Sequence, residues 1–221
     1  MKRGLIVLAL AVGAAAPASA QLAGMPVWNS PKGGTGLTIS GDLGKPDNNG
    51  GKGTAFGARA SLGLANLTIS AGFSSWKPAS YTSSVSSFGA DAAFRVIGGS
   101  LIPVAINLQL GAATSGKVSS GGPVNIPSTT TMTGAVGISA SIPSPGISIE
   151  PYFSPGLRYV KYSDTSLGYG SYTKFGFVLG ANVGLGMVGL HVAYDYQSLP
   201  ASTHRSILGL GAHVALKVPG L

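Results

Sequence analysis

The chain has 221 residues, 14 Lys and Arg against 6 Asp and Glu, a formal net charge of +8 and only 9% charged residues. Soluble domains carry about 25% charged residues, and no run after the first twenty residues reaches the ~18–20 apolar residues of a spanning helix; an ordinary soluble domain and a helical membrane protein are both poor fits. Cysteine is absent, which excludes a disulfide framework and thiolate chemistry, and the 35 glycines follow no three-residue period, which excludes collagen.

The opening MKRGLIVLALAVGAAAPASA sets Lys2 and Arg3 before an apolar run that ends in Ala18, Ser19 and Ala20. This pattern predicts a secretory signal peptide over 1–20, cut after Ala20, and one domain over 21–221. Without Lys2 and Arg3 the net charge falls from +8 to +6. The remaining lysines, among them Lys32, Lys45, Lys52, Lys77, Lys117 and Lys161, are scattered and form no patch. That scatter disfavours nucleic acid and suits an anionic lipopolysaccharide surface.

From Thr35 onward apolar residues recur at every second position. Ten strands are predicted: Thr35–Leu43, Thr54–Leu64, Leu67–Trp76, Ser87–Val96, Val104–Thr114, Thr130–Ile142, Ile147–Tyr162, Tyr172–Leu185, Met187–Leu199 and Arg205–Val218. An eight-strand count follows if the first pair does not span. In GLHVAYDYQ, Leu190, Val192, Tyr194 and Tyr196 share one face, while His191, Ala193, Asp195 and Gln197 share the other. Strands near ten residues fit a tilted bilayer crossing. The connections alternate long and short, which places the loops at 44–53, 77–86 and 115–129 outside, and the short turns and both termini on the periplasmic side. Phe56, Phe73, Trp76, Phe88, Tyr159, Tyr162, Tyr172, Phe175, Tyr194 and Tyr196 lie toward the long loops and predict an aromatic girdle. An exported apolar chain without spanning helices satisfies its backbone in lipid only as a closed barrel. The predicted fold class is therefore all-β, a closed antiparallel up-and-down transmembrane β-barrel; a soluble periplasmic β-sandwich ranks last.

The stretch IEPYFSPGLRYVKYS resembles the PYxGxGxGYxKY strand of small bacterial outer-membrane barrels, the family of the OmpA transmembrane domain and OmpX. FGFVLGANVGLG and VGLHVAYDYQSL resemble the hairpin that follows, and ILGLGAHVALKV the closing strand. The resemblance covers the last third of the chain and implies an outer-membrane location and handling by the barrel-assembly machinery. Members usually end in an aromatic residue, whereas this chain ends KVPGL. Pro151 and Pro155 lack ladder donors, so the strand is expected to begin or bulge near Pro151.

With apolar faces on lipid, the opposite faces carry Asp42, Arg59, Asp91, Arg95, Glu150, Arg158, Lys174, His191, Asp195, His213 and Lys217, with Asn107, Gln109 and Asn182. A basic group at mid-depth on the lipid face costs about 2–4 kcal/mol, which explains the segregation. Two arrangements fit the set. In the favoured one, carboxylates and guanidiniums pair across a narrow lumen and hold it shut; Arg95 with Glu150 and Arg158 with Asp195 are candidate pairs. In the other, the same residues line a narrow aqueous pore.

His204 and Ser206, in THRS, sit two apart on one face and resemble the His-x-Ser pair of outer-membrane lipid A deacylases. No Asp or Glu follows Ser206, so the acid that orients the base is missing. Asp164 with His204 is too little for an omptin-type protease, and His191 with His213 too few ligands for a metal site. No cofactor motif is present. The expected role is non-enzymatic: a structural or surface-interaction barrel with a closed lumen, in contact with outer-membrane lipids and lipopolysaccharide. A narrow passive channel for small solutes ranks second and a lipid A-modifying hydrolase third. A folded barrel should migrate faster in detergent electrophoresis unheated than boiled; identical mobility, with solubility in plain buffer, would instead support the sandwich.

Overall fold

The structure, a computed structural model, describes residues 21–28, 35–99, 102–119, 121–164 and 170–216. The predicted signal peptide, Lys217 and the KVPGL terminus lie outside these residues. Among the described residues eleven strands occur in chain order: β1 (Gly36–Pro46), β2 (Thr54–Leu64), β3 (Leu67–Lys77), β4 (Val85–Gly99), β5 (Ile102–Ser115), β6 (Thr129–Ala140), β7 (Ile142–Ser144), β8 (Ile147–Tyr162), β9 (Ser171–Leu185), β10 (Val188–Ser198) and β11 (His204–Leu216). The three-residue β7 prolongs β6 beyond Ser141, and both pair with β8, so the described strands make ten crossings. Every pairing is antiparallel, and with β6 and β7 taken as one crossing all join chain neighbours except β1 with β11, which closes the sheet. Closure removes both sheet edges, so the ladder satisfies the backbone sideways and leaves the side chains to settle which face meets which medium. The fold is a closed, antiparallel, up-and-down ten-stranded barrel, and the eight-strand alternative is excluded. No described helix is long and apolar enough to cross a membrane; the crossing elements are strands.

The burial pattern is inverted relative to a soluble core. Phe56 is 62% exposed and Leu210 56%, whereas Arg158 is 2% exposed and Gln109 0%. The strict alternation of GLHVAYDYQ is retained, with Leu190, Val192 and Tyr194 outward and His191, Ala193 and Asp195 buried inside. Outward aromatics meet across strands: Phe177 stacks on Tyr196 at 5.1 Å between ring centroids, and Phe73 lies 6.4 Å from Phe88. Three members of the expected girdle face the other way. Trp76 and Tyr162 line the inner wall near the long loops, and Tyr172 packs its ring against Tyr162. Their strand parity is that of the buried Ser74, Val160 and Val178, which puts them in the lumen.

Two further local expectations need correction. β8 neither begins nor bulges at Pro151: it runs from Ile147 to Tyr162 without a register shift. The missing donors appear instead as gaps in the ladder to β6 and β7, opposite Pro155 and Pro151, while pairing to β9 is continuous. The only register shifts of the described ladders fall between β4 and β5, at Arg95/Ile97 and Ile97/Gly99, where Gly98 takes φ +111° at the periplasmic end. Gly44, Lys45 and Pro46, expected in a loop, belong to β1 and pair with Gly209, Leu208 and Ile207.

Leu210 lies midway along β11 on the lipid face. Leu210→Arg is expected to lower folding stability in phospholipid vesicles by about 2–4 kcal/mol, measured by urea titration of Trp fluorescence; an unchanged midpoint would place this face away from lipid.

Candidate functional site in the barrel lumen

The inner face of the barrel holds a peptide as well as side chains. Residues 21–28, Gln-Leu-Ala-Gly-Met-Pro-Val-Trp, are not strand residues and pair with no named strand. They lie inside the cylinder, with Leu22, Met25, Val27 and Trp28 all buried. Gln21 sits near the long loops, against Arg205, and Trp28 sits at mid-depth, against His191 and Arg59. The expectation that the chain start stays at the periplasmic end is therefore wrong for residue 21, which lies in the outer half of the lumen.

Small residues on the inner wall make room for this segment. A Cβ on Gly57 would stand 2.8 Å from Met25 Cε. One on Gly209 would stand 2.5 Å from Pro26 Cγ and 2.6 Å from Trp28 Cζ2. Gly24 itself takes φ +70°, and a side chain there would strike the Trp76 ring at 2.6 Å. Leu22, Met25, Ala55 and Ala113 form one buried cluster with Trp76 packed on it, and Val27, Trp28, Tyr152, Val178 and Ala193 form another. Burying Leu22, Met25 and Val27 stabilises the closed state by ~1.5–3 kcal/mol each.

Polar groups hold the segment in three tiers. At the outer tier Arg205 donates to Gln21 Oε1 at 2.8 Å and to Gln197 Oε1 at 2.6 Å. Beside it Ala23 N donates to Ser87 Oγ, and Ser74 Oγ donates to Ala23 O, both at 2.8 Å. In the middle tier Arg158 and Asp195 form a fully buried ion pair, and Asp195 Oδ2 also accepts from Val27 N at 2.8 Å. In the inner tier His191 Nε2 donates to Asp42 Oδ1 at 2.6 Å, and the Nδ1 atoms of His191 and His213 lie 3.2 Å apart. Arg59 reaches Asp42 at 3.7 Å, donates to Trp28 O at 2.9 Å and lies 5.9 Å over the Trp28 ring. A buried charge needs a partner, and the segment's own amide and carbonyl groups supply part of the partnering.

The other predicted lumen residues are spread more widely. Gln109 Nε2 donates to Asn107 Oδ1 at 2.8 Å and to Ser154 Oγ at 3.3 Å. Glu150, Asp91 and Asn182 line a periplasmic-side cavity of about 380 Å³ below Trp28. Arg95 turns to the periplasmic β2–β3 turn and donates to Asn66 Oδ1 at 2.7 Å. Lys174 is half-buried on the inner face near the long loops, opposite Arg158 in register. A second cavity, of about 400 Å³, opens above the segment between the long loops. No group of three or more potential metal ligands occurs among the described residues.

His204 and Ser206 lie at the outer rim, outside the lumen. A carboxylate does reach Ser206, but from the β1–β2 loop: Asp47 Oδ2 accepts from Ser206 Oγ at 2.9 Å and from Ser206 N at 2.8 Å. The acid is thus on the serine and not on the imidazole, and the His204 ring stacks on Tyr196 at 5.3 Å. Sequence reasoning put Gln197 on the inner face without giving it a role, and missed Arg205, Asp47 and the whole of residues 21–28. The one available signal was that LAGMPVW is apolar, uncharged and outside every alternating stretch.

No protein-family model matches the chain, and no curated protein does. Solved structures match over most of it. The β-domain of the Bordetella autotransporter BrkA aligns with TM-score 0.51 and 11% identity, over 84% of this chain and 100% of that one. A bacterial polysaccharide outer membrane secretin aligns with TM-score 0.50 and 12% identity over 82% of this chain, which spans 66% of the length of that protein. The N-terminal β-barrel domain of Pseudomonas aeruginosa OprF aligns at TM-score 0.42 and 10% identity, over 84% and 100%. At such identities the likeness concerns fold and not activity.

Removing one member of the buried pair should be costly. Asp195→Ala strands Arg158 and the Val27 amide and is expected to destabilise the barrel by about 3–5 kcal/mol, whereas Arg158→Met with Asp195→Leu should lose far less. Urea unfolding of both variants in vesicles checks this; equal losses would mean the two charges are not a coupled pair. Taken together, the closed ladder, the apolar exterior and the plugged polar interior define a barrel of the bacterial outer-membrane type, with a closed lumen.

Proposed function

We propose that the protein is a non-conducting outer-membrane barrel with a structural or surface-interaction role. The observation that carries this reading is the filling of the lumen at mid-depth by residues 21–28 and the Arg158–Asp195 pair, where a permeation path would have to run. The loops at the outer end support it. Thr82 N donates to Gly121 O at 2.7 Å and Tyr81 Oη to Val124 O at 2.8 Å, which ties the β3–β4 loop to the β5–β6 loop. Asn49 Nδ2 donates to His204 O at 2.7 Å, which ties the β1–β2 loop to β11. Such a cross-braced surface is suited to presenting a fixed shape outward. Lipids, lipopolysaccharide and the barrel-assembly machinery are the expected partners.

A non-enzymatic role accords with the rim geometry, where the Ser206 hydroxyl donates to the Asp47 carboxylate and the His204 ring stacks on Tyr196. A narrow passive channel is the second reading, favoured by the cavities of about 380 and 400 Å³ above and below the obstruction.

Planar-bilayer recordings on the purified full chain should show no steady unitary conductance; regular ion-selective steps would move the channel to first place. Ser206→Ala should leave the acylation pattern of lipid A unchanged in mass spectra of expressing cells. A change confined to that variant would make the protein a hydrolase.

A further inference from the structure

We infer that the lumen is a binding site for a short peptide without charged side chains and turned at its start, whose resident ligand is the chain's own segment 21–28. The inference rests on the closed-lumen reading and goes beyond it by assigning the closure to a separable ligand.

Three observations carry it. The segment is held as a ligand is held, by side chains of the wall and not by the β-ladder. Asp195 accepts from Val27 N, Arg59 donates to Trp28 O, Ser87 accepts from Ala23 N and Ser74 donates to Ala23 O. All four contacts go to peptide backbone, so they depend on the path of the chain, a turn over Leu22–Met25 followed by Pro26–Trp28, and not on side-chain identity. The wall is also shaped to side chains at particular positions: Gly57 admits Met25, and Gly209 admits Pro26 and Trp28, whose ring also meets His191 edge-on at 4.5 Å. Backbone contacts therefore give affinity for a peptide that can follow this turned path, and the glycine-lined recesses select apolar side chains at the Met25, Pro26 and Trp28 positions. Finally, the ladder closes without the segment, because β1 pairs directly with β11. Vacating the berth leaves the barrel whole and joins the cavities above and below into one water-filled passage.

The ligand is of low charge for a physical reason. The berth already holds Arg158 against Asp195 and His191 and Arg59 against Asp42, while the segment has no ionisable side chain. A charged peptide side chain would break one of these pairs. Covalent attachment gives the resident segment a high effective concentration, so a free peptide competes poorly with it and binds when the segment is removed or unseated.

The experiment is a bilayer recording on a barrel lacking residues 21–28, first shown to be folded by heat-dependent mobility. Unitary conductance steps should appear that the full chain lacks. A synthetic peptide of sequence QLAGMPVW with an amidated C-terminus, which removes the carboxylate that the segment lacks, should then cut the open time by about tenfold or more at a concentration where a scrambled amidated peptide has no effect. A second variant keeps the wall and the full length intact: Val27→Pro with Trp28→Ala removes the amide donated to Asp195 and the ring over Gly209. It should conduct and be closed by the same peptide, and it decides the matter if the deletion does not fold. A folded variant that stays silent, or one that conducts and is closed equally by both peptides or by neither, overturns the inference. Conductance in the unaltered full chain would instead overturn the non-conducting role proposed above, while leaving peptide block of the deletion variant as a separate result.

Discussion

The structure depends on one constraint: a β-sheet in lipid must close on itself, because no water is present to satisfy a free edge. Pairing of β1 with β11 meets that demand and fixes everything that follows. Once the backbone is satisfied within the wall, side-chain alternation has only one job, to sort residues between hydrocarbon and lumen. Leu208, Leu210 and Val214 then face out while Ile207, Gly209 and Gly211 face in, on a single strand.

Closure creates a second demand. A ten-stranded cylinder encloses more space than its inward side chains fill, since many of these are Gly, Ala and Ser. At mid-depth the remaining space is taken by a peptide and by paired charges, with a cavity left on either side. The two solutions are coupled at Asp195, whose carboxylate serves Arg158 of the wall and Val27 N of the segment at once. Desolvation makes either contact expensive to lose alone. The same logic links Asp42, His191, Arg59 and Trp28 one tier below.

At the outer rim a different balance holds. Asp47 has a serine hydroxyl and a backbone amide as partners, and the resulting contact fastens a loop to β11. On the adjoining strand positions the His204 ring stacks on Tyr196, so the imidazole and the Asp47 carboxylate meet different partners.

The sequence by itself determined the barrel. Period-two alternation in segments such as Phe56–Leu64 and Leu208–Leu216 is a local property, and with few charges and no spanning helix it leaves only closed sheets in lipid. Local parity also separated Asp42, Arg158, His191 and Asp195 from the lipid face. Parity was read less well where apolar bulk misled, as with Trp76, Tyr162 and Tyr172, whose rings look like girdle residues but fill the lumen. Only the tertiary structure decided what fills the cylinder. Val27 meets Asp195 across 168 positions and Ser206 meets Asp47 across 159. An apolar segment without periodicity carries no mark of the wall that will receive it. Its place follows from the shape of a cavity that exists only after ten crossings have closed.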